Sequence, residues 1–318
     1  MDDKKAPETI AVANGIAGDN AFGAVAPPIY LSSMFAFQGF KRPGRYDYSR
    51  TANPTRSMLA DTLAKLEGGA GAVVTASGLS ALDLVLSRLE SGQIVLASHD
   101  CYAGTARLLD ARARRGEFAV KYVNQADSKA LDRAMHEHPS LVLVETPSNP
   151  LMRIVDIAAV AQAAKSAGAR LAVDNTFLSP ALQRPLDLGA DYVIPSVVAR
   201  DPDEAGALDL WANVTGTMGA PFDSYMTLRG VRTLFPRMER QQRTAGAIAL
   251  FLRSHSAVAQ VYYPGLPDHP GHEIAARQQK GFGAMLGFEL RGGSEAVRRF
   301  VESLTIFTFA ESLGGVES

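Results

Sequence analysis

Short apolar runs alternate with amphipathic stretches over most of the chain, and their spacing separates strands from helices. Asn53 can cap a helix that starts at Pro54; Met58, Leu59, Leu63 and Leu66 then share one face, and Gly68-Gly69 ends it. Beyond it, Ala72-Val73-Val74-Thr75, Ile94-Val95-Leu96-Ala97, Leu141-Val142-Leu143-Val144, Leu171-Ala172-Val173 and Tyr192-Val193-Ile194 are unbroken apolar runs of strand length. Runs of that kind suit strands buried on both faces. The segments between them, among them Ser80 to Leu89 and Ile157 to Ala167, supply the helices. Alternation of this sort predicts an α/β fold, a mostly parallel sheet with helices on both faces. Near Arg229 it gives way to a long helical stretch through Leu252, then to Gly/Pro-rich turns and strand-like Ala284 to Leu290. A smaller C-terminal α/β domain over residues 229–318 is expected there. Residues 1–50 lack sustained periodicity and are dotted with Gly and Pro, so they read as an extended arm that must lie on something else.

In open parallel sheets, ligands bind beyond the carboxyl ends of the strands, where loops and helix N-termini converge. Four such ends are polar here: Ser77-Gly78-Leu79-Ser80, His99-Asp100-Cys101-Tyr102, Glu145-Thr146-Pro147-Ser148-Asn149-Pro150 and Asp174-Asn175-Thr176. Each residue has a plain structural alternative. Gly78 either relieves a tight turn or leaves N–H groups free for one phosphate. Asp174 either caps a helix or keeps a pyridine nitrogen protonated. Tyr102 either packs or offers its ring to a flat cofactor. Only their shared edge raises them above background.

Composition narrows the classes of partner. At 318 residues and 47% hydrophobic, the chain can bury a sizeable core, more than one domain's worth. Its net charge of -1, with both signs interspersed, gives no footprint for nucleic acid or an anionic membrane and favours small, near-neutral partners. No apolar leader and no membrane-length window is present, so a soluble, cytoplasmic protein is expected. Cys101 is the single cysteine, which excludes an internal disulfide and fits a reducing compartment. Asn213-Val214-Thr215 matches a glycosylation sequon only formally. Gly281-Phe282-Gly283 resembles a dinucleotide fingerprint but precedes a strand instead of following one. His269 and His272 lie in a Pro/Gly loop without a third metal ligand, and a solvated loop is expected.

Taken as a set, the polar segments are similar to those of one family. Tyr48-Ser49-Arg50 with Asn53-Pro54-Thr55, then Ser77-Gly78, Tyr102, Pro147-Ser148-Asn149-Pro150, Asp174-Asn175-Thr176-Phe177 and Glu311-Ser312-Leu313-Gly314-Gly315 resemble the Cys/Met-metabolism family of fold-type-I pyridoxal-phosphate enzymes. His272 to Leu286 is especially similar to its bacterial cystathionine γ-synthase branch. The resemblance implies the fold-type-I transferase architecture, with 1–50 as arm, 51–228 as pyridoxal-phosphate domain and 229–318 as C-terminal domain. It implies that Tyr48 and Arg50 reach the cofactor phosphate of a neighbouring subunit, and that the backbone of Gly78 and Leu79, beside Ser77, binds that phosphate from within. A guanidinium fork suits phosphate oxygens. Tyr102 is implied to stack on the ring and relay protons, Asp174 to pair with its nitrogen, and Asn149 and Thr176 to support its oxygen side. Ser196 belongs to the cofactor set by the same token; Ser312 is implied to hold the substrate carboxylate, and Arg107 and Glu311 are candidates for choosing the substrate. A homotetramer with shared active sites follows from the family.

The activity implied is γ-replacement, with O-succinylhomoserine and cysteine giving cystathionine and succinate; a lyase cleaving cystathionine on the same scaffold is the alternative. The pattern breaks in two places, at the cofactor lysine and where the sequence stops at Ser318, before the family's carboxylate-binding arginine. The family shows a Ser-x-Thr-Lys segment whose lysine holds the cofactor, whereas Ser196 here is followed at once by Val197-Val198-Ala199. Pro195 stands where the family usually has histidine. A β-branched pair without Gly, Asn or Asp is a poor place to reverse a chain, so a lysine-bearing loop between Ser196 and Val197 is expected in the protein, as is a further C-terminal segment with a carboxylate-binding arginine. Without such a loop the chain is a non-catalytic homologue that binds the cofactor weakly or acts as a subunit of an assembly, since none of Lys65, Lys121, Lys129, Lys165 or Lys280 lies at a suitable strand end.

Overall fold

The computed structural model describes residues 5–310. Seven strands, β1 (Gly71–Val73), β2 (Ile94–Ser98), β3 (Ala119–Val123), β4 (Leu141–Glu145), β5 (Arg170–Asp174), β6 (Tyr192–Ile194) and β7 (Val197–Ala199), form one sheet in the order β1-β7-β6-β5-β4-β2-β3. All neighbours pair in parallel except β7, which runs antiparallel to both β6 and β1. The carboxyl ends of β1, β6, β5, β4 and β2 therefore emerge along one edge.

Helices cover both faces because successive strand residues point to opposite sides. Val95, Ala97, Leu141 and Leu143 pack with Leu82 and Leu86 of α3 (Gly78–Leu86), Leu109 of α4 (Ala103–Arg114) and Leu208 of α8 (Pro202–Thr215). On the other face, Leu96, Val142, Val144 and Val173 meet Leu131 and Met135 of α5 (Ser128–Met135) and Ile157 and Val160 of α6 (Ile157–Ala167). Helix α2 (Pro54–Glu67) starts as its sequence dictates: the Asn53 carboxamide accepts from the N–H groups of Thr55 (2.9 Å) and Arg56 (3.3 Å). Gly68, at φ 76°, closes it in the left-handed conformation that Gly alone adopts without strain.

Four features depart from expectation. The N-terminal stretch is not wholly irregular: α1 (Pro7–Ala13) buries Ala11 completely, and Asn14 bonds to Thr62 (2.7 Å) and Asp61 (2.9 Å) of α2. Such a short helix is held by packing, which periodicity cannot reveal. Edge strand β3 carries exposed and half-buried residues and so lacks an apolar run. The long helical stretch is two helices, α9 (Pro221–Val231) and α10 (Leu234–Ser254), broken at Arg232-Thr233 and bridged by Arg237 Nη1 to the Gly230 carbonyl (2.6 Å). The loop carrying His269 is not solvated there: His269 is buried, its Nδ1 accepting from the Gly271 N–H (3.1 Å), while His272 stacks on Phe282 at 5.2 Å. Beyond α7 (Ser179–Leu182) and α10, strands β8 (Val258–Tyr262) and β9 (Gly287–Leu290) make a two-stranded antiparallel sheet, with α11 (His272–Gln278) and α12 (Gly293–Glu302) beside them in sequence.

The expected lysine-bearing loop between Ser196 and Val197 is not part of this sequence. The chain passes straight from Ser196 to Val197, and Pro195-Ser196 form a two-residue turn joining β6 to β7. The reversal falls ahead of the β-branched pair, so Val197 and Val198 are strand, with Val193 opposite Val198 and Tyr192 opposite Ala199. Neither turn residue has a positive φ, so the turn is not of the primed type whose twist matches a tight hairpin. Burial of Val197, Val198 and Ala199 between the helical layers holds the strand in place.

Candidate active site

The strand tips set out a row of polar groups. At the tip of β6, Pro195 Cβ lies 3.5 Å from where a side chain on Gly78 would begin, so the β6–β7 turn abuts the start of α3. The Ser77 hydroxyl caps α3 by accepting from the Ser80 N–H (3.1 Å), and among the described residues the N–H groups of Gly78 and Leu79 have no acceptor. Next along the edge is Asp174, whose Oδ1 accepts from the Thr176 N–H (3.0 Å) and hydroxyl (2.5 Å). Asp174 and Glu145 are register partners on β5 and β4. Glu145 in turn accepts from the backbone N–H groups of Tyr102 (2.7 Å) and Asn149 (3.2 Å), so one carboxylate fixes two of the expected site residues. The Tyr102 ring folds over Gly104, where any side chain would collide with it.

Glu145 is the residue that sequence reasoning missed as a site member; its place at a strand end marked it, but nothing local shows that it holds Tyr102 and Asn149. Burial, with Asp174 close by, pushes its pKa up to about 7. Burial likewise raises that of Asp174, against the two bonds from Thr176. Neither carboxylate has an ion-pair partner among the described residues. Asp100 at the tip of β2 differs: burial acts to raise it, but bonds from the Ser98 (2.6 Å) and Ser148 (2.7 Å) hydroxyls, with His99 and Arg153, carry it below the ordinary range. Burial, then the charges of Glu145 and Asp100, push the Cys101 thiol up to about 12, so it is no nucleophile.

The remaining expected residues are spread more widely. Tyr48 and Arg50 are exposed; the Arg50 guanidinium lies 5.5 Å from the Tyr48 ring and donates to Asn213, carbonyl (2.5 Å) and side chain (3.1 Å). Their backbone is tethered by buried Arg56, which donates to the carbonyls of Ser49 (2.7 Å) and Arg50 (3.1 Å). Arg107 is exposed on α4, and Ser196 is half-buried in the β6–β7 turn. Glu311 and Ser312 lie outside the described residues.

Comparison with known proteins places this arrangement. The family model of the Cys/Met metabolism PLP-dependent enzymes matches residues 8–318. The chain belongs to that family. Among curated members, cystathionine γ-synthase of Escherichia coli (strain K12) is 53% identical over 326 residues, covering 98% of this chain and 84% of that protein. Cystathionine β-lyase of Lactococcus lactis subsp. lactis (strain IL1403) is 40% identical over 326 residues, covering 98% and 86%. Of solved structures, cystathionine γ-synthase from Xanthomonas oryzae pv. oryzae, in complex with aminoacrylate and cysteine, superposes with a TM-score of 0.96 at 51% identity, covering 98% and 85%. The match to the E. coli protein spans 326 positions against 318 in this whole chain, so that relative carries internal residues that this chain lacks.

This Cys/Met-metabolism protein is thus a pyridoxal-phosphate-dependent enzyme of the cystathionine synthase and lyase kind, with the fold-type-I architecture. Its residues fit the cofactor in part. Two unpartnered N–H groups at a helix N-terminus suit a phosphate, and a desolvated carboxylate without a cation suits a protonated ring nitrogen. A covalent anchor does not fit: Pro195 and Ser196 occupy the tip of β6, and no lysine stands on the tips of β2, β4, β5 or β6.

Proposed function

We propose that the site serves γ-replacement, taking O-succinylhomoserine and cysteine to cystathionine and succinate. The observation that carries this reading is the row of strand-tip groups, Gly78-Leu79, Asp174, Glu145 and Tyr102, on a chain about half identical to cystathionine γ-synthases over nearly its whole length. When bound, pyridoxal phosphate supplies an electron sink for a carbanion at the substrate α-carbon. Asp174 holds the ring nitrogen protonated, Gly78 and Leu79 hold the phosphate, with Tyr48 and Arg50 of a neighbouring subunit completing that site in a homotetramer. Tyr102 covers the ring and, through its N–H, is set by Glu145; Asn149 and Thr176 line the ring's polar side. Ser312 holds the substrate carboxylate, and Arg107 and Glu311 choose the substrate.

Because the family's lysine is absent, its share of proton transfer is missing; general acid–base groups typically contribute about 10²- to 10⁴-fold. Turnover lower by at least that factor than in a lysine-bearing relative is therefore expected. Incubation with pyridoxal phosphate, O-succinylhomoserine and cysteine tests the reading. Equal amounts of cystathionine and succinate, lost in Asp174→Asn, support it. Keto acid and ammonia from cystathionine, without synthesis, favour the lyase instead, a reaction that relatives such as the L. lactis β-lyase carry in their names.

A further inference from the structure

Resting on the assignment of Asp174 to the ring nitrogen, we infer that Gln183 is a positioning residue for this site: its side chain fixes the tips of β4 and β5 against each other and against the end of α11. Gln183 is the C-cap of α7, where its backbone N–H bonds to the Ser179 carbonyl (3.1 Å), and it is buried, 2% exposed. Its Nε2 donates to the Thr146 carbonyl (3.1 Å) and to Asn175 Oδ1 (3.0 Å). Thr146 directly follows Glu145, and Asn175 directly follows Asp174. One amide group thus holds the first residue beyond each of the two register-paired carboxylates. Asn175 in turn donates to the Gln183 carbonyl (2.8 Å), and its own N–H bonds to the Ile194 carbonyl at the end of β6 (3.0 Å).

The oxygen of the same carboxamide faces the C-terminal stretch. Gln183 Oε1 accepts from Gln278 Nε2 (3.2 Å), at the last position of α11, and from Gln279 Nε2 (3.2 Å), its C-cap. Gln278 also clamps the segment that leads from the β4 tip into α6: it donates to the Val155 carbonyl (3.0 Å) and accepts from the Ile157 N–H (3.2 Å). A carboxamide has two donors and two strong acceptor positions, and all four are used on Gln183. The Thr146 carbonyl can only accept, so the amide cannot be turned over. An ordinary buried amide stabilises the fold and leaves the site alone. Here the effect reaches both carboxylates: without Gln183 Nε2, the Thr146 carbonyl and the Asn175 carboxamide each lose a buried partner, and the tips must shift or open to regain one.

The test uses the full chain as wild type, as Gln183→Met and, for a control, as Thr62→Val, which removes a buried hydroxyl bonded to Asn14 and Met58 on the far side of α2 from the strand-tip row. Urea unfolding establishes that each is folded; amide hydrogen exchange is followed without cofactor, and pyridoxal phosphate affinity is measured by calorimetry. In Gln183→Met, exchange about tenfold faster at 145–149 and 174–178 together, and affinity about tenfold weaker, are expected, the effect of one lost hydrogen bond at each tip. Thr62→Val should lose stability and show neither change. Unchanged exchange or unchanged affinity in Gln183→Met, faster exchange at one tip alone, or the same changes in Thr62→Val overturns the inference. Should Gln183→Met fail to fold, Gln183→Glu carries the test: buried against the Thr146 carbonyl it takes up a proton and keeps one donor, so both changes appear at smaller size, and their absence overturns the inference equally. A wild type that binds no pyridoxal phosphate overturns the γ-replacement reading, and the exchange result alone then decides whether Gln183 couples the two tips.

Discussion

Glu67 closes α2 in a place where a carboxylate is poorly served. It is 4% exposed; its Oε1 receives only a long bond from Asn175 Nδ2 (3.5 Å), and its Oε2 has no partner. Burial, only partly offset by Asn175 and Arg184, pushes its pKa from 4.5 up to about 8. The folded state thus binds a proton that the unfolded chain releases near 4.5, so the stability it lends is full below that pH and is lost as pH rises through about 8. At about 1.4 kcal/mol per unit, the loss between about pH 5 and about pH 8 reaches roughly 3–4 kcal/mol. Glu67→Gln keeps the shape and removes the titration. Urea unfolding of both proteins at the two pH values should show the wild type losing that much more than the variant. Glu145, pushed up to about 7, titrates in both and cancels in the difference. Parallel stability–pH curves for the two proteins would refute the reasoning.

Other consequences can be checked as simply. Arg56→Met leaves the Ser49 and Arg50 carbonyls without their buried donor; a stability loss of about 2–4 kcal/mol and faster protease cleavage near residue 50 are expected, and an unchanged urea midpoint would contradict the tether. Asp174→Asn should weaken pyridoxal phosphate binding about 10- to 100-fold, the worth of a charge-assisted hydrogen bond, measured by calorimetry.

The parts of this molecule legible in the sequence are those governed by local chemistry. Asn53-Pro54 and Gly68 announce both ends of α2, and Ile157 to Ala167 is helical from end to end as its spacing predicts. The buried strands β2, β4, β5 and β6 read as apolar runs because both their faces are covered. Edge strand β3 does not, since both its faces are partly open and admit Lys121 on one and Tyr122 on the other. Site residues at strand ends could be named one by one, yet the link that organises them, Glu145 to the N–H groups of Tyr102 and Asn149, joins positions 43 and 4 residues apart and exists only in three dimensions. Likewise Arg56 looks like an ordinary helix-surface cation until the fold buries it beneath the segment it tethers. The β6–β7 junction is hard to read because a Pro-Ser turn is weak on local grounds; packing of Val197 and Val198 on both sheet faces supplies what the turn lacks.

The claim on which the account depends is that one phosphorylated pyridine ring lies across the tips of β6, β5 and β4. A crystal structure of the chain grown with pyridoxal phosphate tests it most directly. The account predicts the ring nitrogen within hydrogen-bond distance of the Asp174 carboxylate and the phosphate on the N–H groups of Gly78 and Leu79. A ring bound elsewhere, with Asp174 still bonded to Thr176 alone, would contradict it.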